Sequence, residues 1–371
     1  MIDTGASLGN IQADNAVPDQ GAEEVKSLEP ELASEQVVPG GSSSSYIEKA
    51  LPFTLEDRQG FVDLFYEPVN FELNLRSNLN LSVLKIENGD FVLDKLYTAL
   101  SEASIGYVLS RVETEKLRKT AERSLQKMMA AMEDVKAKFQ QPNSTVGEGG
   151  ELLLYALLEA GLGAPKLLSK MEIKSSRQMP VFGADGVHLL EVEEGEYQLI
   201  FGESKMYKDL GGAIKAAFKS IHEVREAGFQ EDLSLVSTQV MKEAVSEGQL
   251  DALEAILLPP SEGGADIKLV NSFGILLAFN LDVTKVDIAN LPDEEIEKEY
   301  QRLAEQAINL KIKTIEGQIE YYDLGATTIH IFGVPFLKRT KAGRDHDIED
   351  VRRELQERLV FGKNASKKNA A

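Results

Sequence analysis

The sequence has no cysteine. Disulfides, thiolate zinc sites and cysteine nucleophiles are therefore excluded together, and the absence fits a reducing cytoplasm. It also lacks any long uninterrupted apolar run. With 43% hydrophobic and 27% charged residues, it predicts buried cores but no transmembrane helix, and no basic segment followed by an apolar one reads as a secretory leader. Positive charge is scarce: 40 Lys and Arg face 61 Asp and Glu, for a net charge of −21. Proteins that hold DNA unaided usually have the opposite sign, because neutralisation of phosphates by Lys and Arg drives affinity. If this chain acts on nucleic acid, a partner is expected to deliver the substrate. Nucleotide motifs are missing as well. Without G-x-x-x-x-G-K-[ST] there is no ATP site of its own, and there is no G-x-G-x-x-G. His188, His222, His330 and His346 form no H-E-x-x-H pattern. The G-x-S-x-G match at Gly5–Gly9 lacks the strand–turn–helix setting that a nucleophile elbow needs.

Residues 1–45 carry eight acids, one lysine and a serine run, a composition too poor in large apolar groups to offset chain entropy. They are predicted to be disordered. Residues 46–141 read as a smaller N-terminal α+β region. Its strands are expected near Asn70–Leu75 and Leu81–Ile86, ahead of a long helix from Asp94 to Gln141 with a break near Ser110. Residues 142–340 form the main domain. Gly147–Gly163 reads as a short apolar helix, Lys166–Ser176, Asp185–Val192 and Glu196–Lys205 as strands, and Gly211–Ala227 as a helix. Further helices, a strand pair or single strand over Ile267–Leu281, and a strand over Thr327–Phe336 complete it. Residues 341–371 are expected as a C-terminal helix and a basic tail. Helix, three strands, helix and later strands imply an α/β fold, with a central mixed sheet flanked by helices.

The chemistry concentrates around Tyr197–Lys205. Leu199–Phe201 is apolar on both faces, as in a strand covered on both sides. Period-two geometry puts Glu203 and Lys205 on one face and Ser204 on the other. A carboxylate at the end of such a strand is costly to bury unless paired or metal-bound. Gly202 leaves room for close approach to the backbone. Asp185 opens the preceding strand, and in an antiparallel pair the start of one strand lies beside the end of the next. Asp185, Glu203 and Lys205 are thereby predicted to meet. Glu148 and Glu151, three apart on one helical face, each offer a further ligand or general base, and spacing does not choose between them. Two hard oxygen ligands suit Mg²⁺ or Mn²⁺, which in phosphodiester hydrolysis activates water and neutralises developing charge. Lys205 would orient the water or stabilise the transition state. Lys208, Lys215 and Lys219, with His222, are candidates to track a DNA backbone, and Lys166, Lys170, Lys174 and Arg177 cluster around the first strand. A Glu-x-Lys pair alone matches many surface salt bridges. The reading rests on the order acidic helix, Asp-initiated strand, apolar strand ending in Glu-x-Lys, basic helix.

The strings Gly147-Glu148-Gly149-Gly150-Glu151, Gly183-Ala184-Asp185-Gly186-Val187-His188 and Gly202-Glu203-Ser204-Lys205 resemble the PD-(D/E)xK nuclease superfamily. Within it they are similar to the HamA family, the nuclease-like subunits of Hachiman anti-phage defence. The resemblance covers residues 50–340 or so, with its specific motifs ending near residue 230. It implies a PD-(D/E)xK-like core in a bacterial cytoplasmic protein, and a superfamily 2 DNA helicase (HamB) as partner. It further implies metal-dependent DNA cleavage, with Asp185 and Glu203 as metal ligands, Lys205 as the catalytic lysine and Glu148 or Glu151 as the helix carboxylate. Ala184 stands where the motif name has proline. An RNA-directed nuclease, or a catalytically inactive nuclease-fold clamp that binds DNA or regulates a helicase, would use the same residue types.

Overall fold

A computed structural model describes residues 50–139, 147–171, 183–227, 242–258, 267–287, 291–341 and 343–362. The expected disordered segment 1–45, the cations Lys174 and Arg177, and the basic tail after Gly362 lie outside them.

The elements run in order α1 (Arg58–Val62), β1 (Val69–Asn74), β2 (Ser77–Leu81), β3 (Ile86–Glu87), β4 (Asp90–Phe91), α2 (Leu93–Val108), α3 (Arg111–Arg123) and α4 (Leu125–Lys138). Then come α5 (Glu148–Ala156), a π-helical turn (Leu157–Gly161), β5 (Lys166–Ser169), β6 (Gly186–Glu193), β7 (Glu196–Tyr207) and α6 (Leu210–Ala227). The rest are α7 (Glu247–Leu257), β8 (Lys268–Asp282), α8 (Asp293–Asn309), α9 (Ile312–Tyr321), β9 (Thr328–Lys341), β10 (Arg344–His346) and α10 (Ile348–Phe361).

One mixed sheet has the order β1-β2-β9-β8-β7-β6-β5, with β10 pairing off β9. Strands β2, β9, β8 and β7 are mutually parallel, whereas β1, β6 and β5 join antiparallel. The parallel centre explains the apolar runs: Phe273–Phe279 on β8 is buried on both faces. The protein is therefore α/β, with a large mixed sheet flanked by helices.

Three expectations change. The long helix 94–141 is three helices. Ser110 closes a capping box with Glu113 at the start of α3, and Ser124 accepts from Lys127 N at the start of α4. Both serines offer the backbone a local partner that competes with continuing the helix. The second N-terminal strand is Ser77–Leu81, not Leu81–Ile86. Its asparagines mask a period-two pattern in which Ser77, Leu79 and Leu81 are buried and Asn78 and Asn80 are not. Finally, residues 46–141 supply β1 and β2 to the same sheet as residues 142–340, and Leu79 and Leu81 share one apolar core with Ile331 and Phe332. The segment Ile267–Leu281 is one long strand rather than a pair.

Candidate active site

The hairpin β6–β7 turns at Gly195, whose φ of +81° only glycine adopts cheaply. Its register pairs Gly186 with Gly202. Beyond Gly202, β7 runs on without β6 beside it, and that is where Asp185 sits. Asp185 N donates to Gly202 O at 2.8 Å. Its Oδ2 accepts from Ser204 N and from Ser204 Oγ, each at 2.8 Å. The carboxylate thus satisfies the edge of the strand that carries Glu203 and Lys205 on its neighbouring positions.

Helix α5 packs close above this strand. A Cβ on Gly202 would lie 3.2 Å from Leu154 Cδ2, and one on Gly150 would lie 3.0 Å from Met206 Cγ. Gly150 and Gly202 therefore set the depth at which α5 docks on β7, while Gly149 faces Leu355 of α10, and the large neighbour that Gly202 admits is Leu154. That docking brings the first turn of α5 to the site. Glu148 and Glu151 are both buried, at 1% and 6% exposure. Glu151 is the one tied to Asp185: Lys170 Nζ donates to Glu151 Oε1 at 3.0 Å and to Asp185 Oδ1 at 2.9 Å. Tyr107 OH, from α2, donates to Glu151 Oε2 at 3.0 Å. Burial first, then the Glu151 and Asp185 charges, holds the Tyr107 hydroxyl well above its ordinary pKa.

Glu203 is 4% exposed and ion-paired with Lys205. Burial raises its pKa to about 7; the Asp185 charge adds to this, while Lys205 and Lys170 pull the other way. Ordinary glutamate titrates near 4.3. Burial accounts for most of the shift and the Asp185 charge for the next part, and a divalent cation on these hard oxygen donors would favour the ionised form. The residues present fit such an ion. They do not form a finished cage: among the described residues no three His, Asp or Glu side chains gather in metal-binding geometry.

The predicted residues fall into two linked groups. Lys170 joins Asp185 to Glu151 on the side of β7 that carries Ser204, and Glu203 pairs with Lys205 on the alternate positions, near enough for the Asp185 charge to act on it. Glu148 lies one turn from Glu151 at the N-terminus of the same helix. The basic candidates are placed differently. Lys208 ion-pairs with Asp347 at 3.0 Å and Glu349 at 2.9 Å, at the start of α10. Lys219 pairs with Glu223 on its own helix, and Lys215 is exposed on α6. Lys166, grouped by sequence with the surface cations, is fully buried, and its Nζ donates to Leu109 O at 2.8 Å. Its position on a strand covered on both sides overrides its charge. Two members were not anticipated at the site. Tyr107 comes from a helix more than forty residues upstream of Glu151. Lys170 reads in the sequence as one more basic residue of the first strand, and the structure places it just past β5 with its Nζ between two acids.

Among the described residues no helix is long and apolar enough to cross a membrane. No curated protein matches the chain. The family model HamA matches residues 60–359.

Proposed function

The chain belongs to the HamA family, and from that premise we propose that it is a metal-dependent DNA endonuclease, the effector subunit of a helicase–nuclease complex in Hachiman anti-phage defence. The observation that carries the reading is that three buried carboxylates lie around the stretch of β7 that runs past β6: Asp185 and Glu151 share Lys170, and Glu203 beside them pairs with Lys205 and responds to the Asp185 charge. Structural ion pairs seldom concentrate three buried carboxylates at one strand end, because each costs desolvation energy that a surface pair avoids.

Asp185 and Glu203 would hold Mg²⁺ or Mn²⁺, which supplies Lewis-acid activation of water and neutralises charge on the phosphate. Lys205 keeps an ammonium beside Glu203, where it orients the attacking water or stabilises the transition state. Glu151 is the helix carboxylate of choice over Glu148, since it shares a cation with Asp185. Ser204 fixes the Asp185 rotamer through two hydrogen bonds. A superfamily 2 helicase partner would supply both the motor and the DNA engagement that a net charge of −21 opposes.

The test is nicking of supercoiled plasmid by the purified chain with its helicase partner and Mg²⁺ or Mn²⁺. Asp185→Asn is expected to lower the rate by about a thousandfold, roughly 4 kcal/mol of transition-state stabilisation, and Lys205→Ala by about a hundredfold. Undiminished cleavage by Asp185→Asn would sink the assignment. DNA binding without nicking under either metal would favour the inactive clamp.

A further inference from the structure

Lys170 occupies an unusual position. Its Nζ bridges Asp185 Oδ1 and Glu151 Oε1 at 2.9 and 3.0 Å. The other oxygen of each carboxylate is fixed from elsewhere, Asp185 Oδ2 by Ser204 and Glu151 Oε2 by Tyr107. The amine therefore sits between one oxygen of each acid, and on Asp185 it occupies Oδ1, the oxygen that Ser204 leaves available and that a divalent ion held by Asp185 would need. Its backbone is anchored too, Lys170 N donating to Asp185 O at 3.2 Å. The side chain is 24% exposed, against 6–7% for the acids it joins, so it is the member of the trio nearest to solvent.

We propose that Lys170 is an internal counter-ion: it fills the cation position between Asp185 and Glu151 in the metal-free protein and withdraws when a divalent metal binds. The inference rests on the metal-nuclease reading and adds a regulator to it. Two buried carboxylates without a cation repel one another and would splay. A lysine keeps them converged, and it does so with a monovalent, single-stemmed group that a divalent ion can displace. Metal affinity is lowered by the free energy of breaking both charge-assisted hydrogen bonds. The site thus stays assembled but closed until metal, or metal delivered with DNA, competes successfully.

The test uses the purified chain without DNA. Mn²⁺ binding is followed by the EPR signal of the free ion, and melting is recorded in EDTA and in Mn²⁺. Lys170→Met is expected to bind Mn²⁺ about tenfold more tightly than wild type. It should melt below wild type in EDTA and recover that loss in Mn²⁺, while Lys170→Arg keeps wild-type affinity. In the wild-type chain, reductive methylation of Lys170 read by mass spectrometry should rise when Mn²⁺ is added, a measurement that needs no variant to fold. Lys170→Met that binds no more tightly and stays destabilised in Mn²⁺ marks a bracing lysine and overturns the proposal, as does methylation unchanged by Mn²⁺. If neither wild type nor Lys170→Met binds Mn²⁺ while both melt cooperatively, the metal reading falls and the proposal with it. Equal binding by both removes only the counter-ion.

Discussion

Two buried polar clusters lie within a few residues of each other on the same elements, and they are built oppositely. Glu151 and Glu159 follow one another along α5 and its π-helical turn, Lys166 lies on β5 with Lys170 just past its end, and His188 lies on β6 with Asp185 just before its start. In the inner cluster Glu159 is fully buried and accepts from three backbone amides, Thr54 N, Leu55 N and Lys166 N, and from Thr54 Oγ1. Arg111 beside it donates to Pro52 O and Lys166 O and pairs with Glu243. His188 Nδ1–H donates to Ala164 O at 2.8 Å. Most of these partners are main chain. In the outer cluster the carboxylates are held largely by side-chain amines and hydroxyls, those of Lys170, Lys205, Tyr107 and Ser204. Main-chain partners cannot leave without unfolding; amines and hydroxyls can. The inner cluster is thus suited to fixing α5, β5 and β6 against the N-terminal segment, and the outer one to exchanging partners. Glu159 lies on the π-helical turn, from which its carboxylate meets Thr54 and Leu55.

The contrast can be broken most sharply at Glu159. Glu159→Ala strands three amides and removes the charge beside Arg111, and it is expected to cost about 3–5 kcal/mol in urea unfolding. A loss below about 1 kcal/mol would erase the distinction between the clusters. Next in size is the effect of acid. Burial holds His188 down at about 4, below an unfolded value near 6.5. Between these values the unfolded chain binds more protons, so stability falls as pH drops from about 6.5 to about 4 and levels off below. The His188 share of that fall has an upper limit of about 3 kcal/mol. His188→Gln should flatten that limb of the stability–pH curve, and an unchanged limb would assign it to other groups. The smallest effect is expected in the outer cluster. Tyr107→Phe removes one hydroxyl donor while Lys170 remains on the other oxygen of Glu151, at a cost of about 1 kcal/mol by the same unfolding measurement. A cost matching that of Glu159→Ala would place Glu151 among the fixed carboxylates.

Much of the site's location was legible in the sequence because it depends on local periodicity. Glu203 and Lys205 follow from strand alternation, and Asp185 follows from the length of the turn between two short apolar runs. The choice between Glu151 and Glu148 was not legible, since three residues of spacing leave both on one helical face. Nor were the lysines. Lys166 and Lys170 are identical in type and four apart, yet one braces a backbone carbonyl and the other bridges two acids. Residue type states what a side chain can do; burial and direction state which partner it meets.

The sequence by itself determined an α/β chain with a central mixed sheet, and an acidic balance that disfavours unaided DNA binding, because hydrophobic period and net charge are properties of consecutive residues and their sum. The tertiary structure alone decided that residues 69–81 extend the same sheet through β9, that Tyr107 reaches Glu151, and that Lys170 stands between Glu151 and Asp185. Those contacts join segments far apart in the chain, where no local pattern constrains the pairing and only close packing around one core selects it.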